Sequence, residues 1–111
     1  NWKYFNCECK SYADFPFHHF LYNKKIPLLE GWINQTMEIA EDGDVNILFM
    51  KFNRKGTYVA FQEHLINKGW RCPIHVKYNS EKYGTWLFLS TDEFWEYNTE
   101  RFEYHCVSGT I

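Results

Sequence analysis

The amino-acid sequence predicts an α/β fold in which a mixed central sheet of about five strands is flanked by helices. Three features point to it. Residues 2–10 alternate, with Trp2, Tyr4, Asn6, Glu8 and Lys10 on one side and Lys3, Phe5, Cys7 and Cys9 on the other. Residues 27–41 repeat at helical spacing instead, and residues 45–52 form an almost unbroken apolar run of strand length. A strand, an amphipathic helix and a buried strand in succession suit a sheet covered on both faces.

The first strand is expected to end at Lys10, with a turn over 11–14. Asp14 ahead of Phe15-Pro16 suits a short helix start, with Phe17, Phe20 and Leu21 on its apolar side. In the 27–41 helix, Leu29, Ile33, Met37 and Ala40 make the apolar stripe, widened by Leu28, Trp32 and Ile39; Glu30, Asn34, Glu38 and Glu41 share the opposite face. Pro27 fits the first helical turn, and Gly43 offers a left-handed cap at the other end. The 45–52 run has the pattern of a strand buried on both faces, and Asn53-Arg54-Lys55-Gly56 turns it into a strand over 57–61. A helical turn over 62–68 stops at Gly69; strands over 74–78 and 85–89 follow, joined by a polar loop over 79–84. Ser90-Thr91-Asp92-Glu93 places hydroxyl and acidic groups ahead of Phe94 and Trp95, the pattern of a short capped helix. The weakly alternating tail over 101–107 is expected to form an edge strand.

With 111 residues, 45% of them hydrophobic, and aromatics spread along the whole length, the chain is expected to form one domain over 1–111. A net charge of −2 gives no general attraction for polyphosphate, so binding of nucleic acid requires a local basic patch or bridging cations. The candidates are Lys10, Lys24 and Lys25 near a helix start, and Lys51, Arg54 and Lys55 around a turn. Their plainer role is that of solvated surface charge. No apolar run approaches the roughly 18 residues that span a membrane, so no membrane partner is expected. Four irregularly spaced cysteines do not make a disulfide scaffold, and a reduced, cytoplasmic location is expected.

Glu8 and Lys10 stand two residues apart on a strand and therefore project to the same face. A carboxylate there, together with the Cys9 backbone carbonyl, offers the oxygen donors that Mg²⁺ or Mn²⁺ prefers, and an adjacent ammonium can orient a water or offset charge building on a phosphate. The same spacing also yields a simple surface ion pair worth under about 1 kcal/mol.

Phe5-Asn6-Cys7-Glu8-Cys9-Lys10 resembles the hydrophobic strand ending in Glu-X-Lys of the PD-(D/E)XK nucleases, particularly the phage and prokaryotic Holliday-junction-resolvase-like members. Gly31-Trp32-Ile33-Asn34-Gln35-Thr36-Met37-Glu38-Ile39-Ala40 is similar to their following helix, and residues 45–54 to their central strand and basic turn. Residues 83–94 resemble the closing strand and helix, after an insertion over 57–82. The resemblance implies a restriction-endonuclease-like fold and a metal-dependent DNA endonuclease. Glu8 and the Cys9 carbonyl would hold Mg²⁺ or Mn²⁺, and Glu8, Lys10 and Gln35 would be the catalytic residues. Lys24, Lys25, Arg54 and Lys55 would contact DNA, branched DNA in particular, and a homodimer is the expected assembly. Helical geometry places Gln35 beside Leu28 and Ile39, at the border of the apolar stripe, where a boundary residue closing the core is the plainer reading.

The acidic ligand that such nucleases carry upstream of Glu-X-Lys has no counterpart among the seven residues ahead of Glu8. An N-terminal part outside this sequence, a second chain completing the site, or an inactive relative each accommodates that. Two other classes of function stay open. One is a non-catalytic domain binding nucleic acid or protein through its aromatics. The other is a small zinc module built from Cys7, Cys9, Cys72, His75, His105 and Cys106, although Cys7 and Cys9 are too close for the usual zinc spacing and inert buried thiols are the expected role. Divalent-metal dependence separates the three.

Overall fold

The structure, a computed structural model, describes residues 5–13, 25–41, 44–72 and 76–108. Its strands are β1 (Phe5–Tyr12), β2 (Val45–Phe52), β3 (Gly56–Gln62), β4 (Val76–Ser80) and β5 (Gly84–Ser90). Its α-helices are α1 (Pro27–Glu38) and α2 (Thr91–Ser108), with a 3-10 helix at Glu63–Lys68. One five-stranded sheet runs in the order β1-β2-β3-β5-β4, parallel between β1 and β2 and antiparallel elsewhere. The α/β class and mixed sheet flanked by helices therefore hold, and the arrangement is that of a restriction-endonuclease-like domain.

Strand alternation sends side chains to two separate cores. Leu48, Met50 and Phe52 of β2, Ala60 of β3 and Trp86 and Phe88 of β5 pack under Ile26, Leu29, Trp32 and Ile33. Their odd-numbered neighbours Val45, Ile47, Val59, Phe61, Leu87 and Leu89 join Phe5, Trp70 and Phe94 on the α2 side. Burial of β2 on both faces is what its nearly continuous apolar run requires.

α1 crosses the sheet from one edge to the other. At its start the Ile26 N–H donates to the Tyr78 hydroxyl on β4 (3.0 Å), which donates in turn to Glu30 Oε1 (2.9 Å). Glu30 also accepts from Ser80 Oγ (3.1 Å) and from the Glu81 N–H (3.0 Å). It is therefore a tie between α1 and the β4–β5 hairpin rather than a member of a solvated face. At the other end Thr36 lies over β1, its carbonyl accepting from Asn6 Nδ2 (2.7 Å). The helix closes at Glu38, three residues before the expected end at Glu41, so Ile39 is left 64% exposed outside the stripe.

Three further expectations are corrected. β1 continues through Ser11 and Tyr12, because these residues pair with Lys51 and Phe52 of β2 and the Asn53 N–H donates to the Tyr12 carbonyl (3.3 Å). β4 runs to Ser80, and its hairpin to Gly84 is tight: Tyr83 N–H donates to Ser80 Oγ (3.2 Å), Thr85 Oγ1 to Asn79 Oδ1 (2.8 Å), and Gly84 takes a φ of 77°. The tail over 101–107 is helical, not an edge strand. Ser90 caps α2 as expected, accepting from the Glu93 N–H (3.2 Å) and donating to Glu93 Oε1 (2.9 Å), and the helix then runs on to Ser108. Phe94, Asn98 and His105 recur at spacings of four and seven and are buried, a helical period that outweighs the weak alternation. Asn98 pins the preceding chain by donating to the Arg71 carbonyl (2.8 Å) and accepting from the Arg71 N–H (2.6 Å). The expected short helix after Asp14, and Gly43 as a cap, lie outside the described residues.

Candidate active site

β1 is an edge strand, and its even-numbered residues face the α1 side of the sheet. In sequence order they are Asn6, Glu8, Lys10 and Tyr12, about 7 Å between successive members at roughly 3.3 Å per residue. Asn6 is buried and fixes the row. Its Nδ2 donates to the Thr36 carbonyl and to Asn46 Oδ1 (2.9 Å), and Asn46 Nδ2 donates to Gln62 Oε1 (3.2 Å). Asn6 and Asn46 are register partners, Gln62 pairs with Trp86 of β5, and the two amide contacts join them into a polar rung across three strands of an otherwise apolar core. Asparagine pairs of this kind set register, because a slip leaves a buried amide unpaired.

One level along, Glu8 pairs with Leu48, and Lys10 follows beside Met50. Lys10 Nζ stands 3.9 Å from Glu8 Oε1, and the two side chains are 26% and 31% exposed. The groups thus project together from an open edge, partly shielded by the apolar floor of β2. At 3.9 Å the pair is longer than a hydrogen bond, so the ammonium is not committed to the carboxylate and can turn toward an incoming anion at little cost. Glu8 and the backbone oxygen of Cys9 are hard donors of the type Mg²⁺ takes, and Mg²⁺ accepts a shell completed mostly by waters and substrate phosphate. Among the described residues no group of three or more His, Cys, Asp or Glu side chains gathers to hold a metal.

Gln35 is exposed on α1, and among the described residues it makes no hydrogen bond to Glu8 or Lys10. Its neighbour Thr36 touches Asn6, so the last turns of α1 overlie the face that carries Glu8.

The basic candidates fall in two places. Arg54 and Lys55 are exposed in the β2–β3 turn, next to the end of β1, and Lys51 pairs with Ser11 just before it. Lys25 lies at the diagonally opposite corner: its Nζ donates to the Asn79 carbonyl on β4 and stands 6.0 Å from the Tyr78 ring centroid. Four strand spacings, about 19 Å, separate β1 from β4. Lys24 lies outside the described residues.

A cavity of about 850 Å³ opens on the α2 face, lined by Glu63, His64, Trp70, Arg71, Lys77 and Leu87 among others, with neither Glu8 nor Lys10 in its wall. A polymeric substrate is better suited by an open strand edge such as β1 than by a hollow of this kind. Among the described residues the thiols join no group of three or more metal-ligating side chains. Burial pushes the Cys7 thiol up to about 12 and the Cys72 thiol to about 11, which disfavours a reactive thiolate near neutral pH. His105 is buried between the rings of Phe5 and Trp70. His75 lies outside the described residues.

The family model described as "Phage putative PDDEXK endonuclease" matches residues 1–103. The chain belongs to this family. Comparison with curated proteins and comparison with solved structures each gave no match. Membership in the PDDEXK endonuclease family covers nearly the whole chain, including β1, α1 and the β2–β3 turn. It accords with the Glu8-Cys9-Lys10 strand end, the feature by which the sequence resembled these nucleases. Among the described residues no helix is long and apolar enough to cross a membrane.

The residues that sequence reasoning missed are Asn46 and Gln62, which complete the rung under Asn6, and Tyr12, which the extension of β1 brings onto the same face as Lys10. Alternation through Tyr12 was readable; the pairing of Asn46 with Gln62 depends on the hairpin register and was not.

Proposed function

We propose that this chain is a metal-dependent DNA endonuclease that hydrolyses phosphodiesters at the open edge of β1. The observation that carries the reading is the Glu8–Lys10 pair, 3.9 Å apart on an edge strand, in a chain that the family model covers. Glu8 and the Cys9 carbonyl would hold Mg²⁺ or Mn²⁺. When bound, that ion supplies an activated water and neutralises phosphate charge. Lys10 orients the attacking water or stabilises the charge developing on the phosphate, in place of its loose contact with Glu8. Gln35, on the α1 turns above this face, contributes a neutral polar contact to the phosphate or water. Arg54 and Lys55 bind the flanking backbone. Branched DNA as substrate and a homodimer as the active form rest on the resemblance to resolvase-like nucleases.

The test is incubation of purified protein with linear duplex and with a four-way junction, with Mg²⁺, Mn²⁺ or chelator. Cleavage in either metal and none in chelator is expected, with the junction cut faster. Cleavage that persists in chelator rules the mechanism out, and equal rates on both substrates remove the resolvase element alone.

One observation favours a second reading, a DNA-binding relative that does not cut: Glu8 has no cluster of acids around it among the described residues. Tight DNA binding with no cleavage in either metal is its signature.

A further inference from the structure

Tyr12 is the exposed end of a continuous array of rings. It is 50% exposed and rests edge-on against Trp32, with ring centroids 6.2 Å apart and planes at 66°. Trp32 stacks on Phe52 (6.1 Å), Phe52 lies against Tyr58 (6.0 Å), and Tyr58 stacks on Phe88 (5.4 Å). The array is anchored in the core, since Phe52 is 1% exposed and Phe88 4%. The backbone beneath Tyr12 is fixed too, by pairing with Phe52 and by the Asn53 N–H. A half-bare aromatic held this rigidly is a platform that costs little ordering entropy to use.

Its surroundings suit a nucleotide. Along β1 it lies about 7 Å beyond Lys10 and about 13 Å beyond Glu8. On its other side is the turn bearing the exposed Arg54 and Lys55. Of the other exposed tyrosines among the described residues, Tyr97 stands on α2 beside Glu96 and Glu100, and the Tyr104 ring is already covered by the Arg101 guanidinium, 5.0 Å from its centroid. Along a duplex every interior base face is already covered by its neighbours and only the terminal pair leaves one bare, so an unpaired base offers the ring a face that paired DNA lacks over its length.

We propose that Tyr12 is a stacking platform for an unpaired nucleobase next to the scissile phosphate, so that the preferred substrate carries a single-stranded segment at a duplex end or branch. This rests on the endonuclease reading and names the substrate class for the same site.

The experiment measures affinity by fluorescence anisotropy in Ca²⁺ buffer, for a blunt duplex and for the same duplex with a single-stranded overhang of about six nucleotides, within the usual site size of single-strand binders. Wild-type protein is expected to prefer the overhang substrate. Tyr12→Ala and Tyr12→Leu should each lose roughly five- to hundredfold on that substrate, with duplex affinity changed less than about twofold, and Tyr12→Phe should keep the preference. Tyr12→Leu retains an apolar contact for Trp32, and unchanged duplex binding reports an intact fold. Equal affinities of wild type for the two substrates, no loss in either variant, or an equal loss on both substrates overturns the platform and leaves the endonuclease reading standing. No binding of either DNA by wild-type protein overturns both.

Discussion

Glu8 and Lys10 face each other across 3.9 Å, a geometry that a surface ion pair and a nuclease site share. The two roles differ in what mutation does. A partly exposed pair of this length contributes under about 1 kcal/mol to stability, so either residue can be changed without unfolding the chain. Arg54 offers a sharper separation of fold from function. It occupies the left-handed region with φ 63°, where a side chain is strained and glycine is not. Arg54→Gly is expected to leave the unfolding free energy unchanged or raise it by up to about 1 kcal/mol in a denaturant titration. The same variant should bind DNA more weakly and lower the slope of log affinity against log salt by about 1, as loss of one phosphate contact does. A stability loss with an unchanged salt slope would mean that Arg54 serves the turn and not the substrate.

At the scale of elements, β1 is held in place by the Asn6 rung. Asn6→Ala leaves the Thr36 carbonyl and Asn46 Oδ1 without their donor inside the fold, at an expected cost of about 1–3 kcal/mol by chemical denaturation. Because the rung sets the level of Glu8 and Lys10, cleavage should fall with it even under conditions where the variant is folded. The elements most legible in the sequence were those whose pattern is local. The run over 45–52 is apolar but for Asn46 and Lys51, and β2 has those bounds; Ser90 and Glu93 are three apart and form the expected cap. Elements decided by distant partners were less legible. Ser11 and Tyr12 look like turn residues until β2 lies alongside, and the helical end of α2 emerges only once Phe102 and His105 have the ring of Phe5 to pack on. Within the site, the common projection of Glu8 and Lys10 followed from the period of a strand alone. The separation of Lys25 from Arg54 did not, because it depends on β4 ending the strand order on the far side of β5.

For the whole molecule, the buried thiols make stability depend on pH in a defined direction. Cys7 moves from 9.0 to about 12 and Cys72 from 9.0 to about 11 on folding, each mainly through burial, and Tyr78 from 10.0 to about 12. In all three the folded state keeps its proton when the unfolded chain has released it. Their contribution is therefore complete below about pH 9 and declines as pH rises through the window from about 9 to about 12. Thermal midpoints should fall across that window, and Cys7→Ala should fall less steeply than wild type. Constant midpoints would show that these groups are not shielded as described. Near neutrality the exposed Cys9 should react first with a thiol reagent, with Cys72 protected until unfolding. With an overall charge of −2, the proposed DNA binding depends on the local basic end of the sheet, where Lys10, Lys51, Arg54 and Lys55 lie.

The most direct measurement is the single-turnover rate of Mg²⁺-dependent strand cleavage by Lys10→Ala beside wild type, with circular dichroism recorded on both. A rate lower by a factor of about 100 or more with an unchanged spectrum is expected for an ammonium that acts on the reacting phosphate. Equal rates from the two proteins would contradict the assignment of Lys10, and with it the siting of the chemistry on β1.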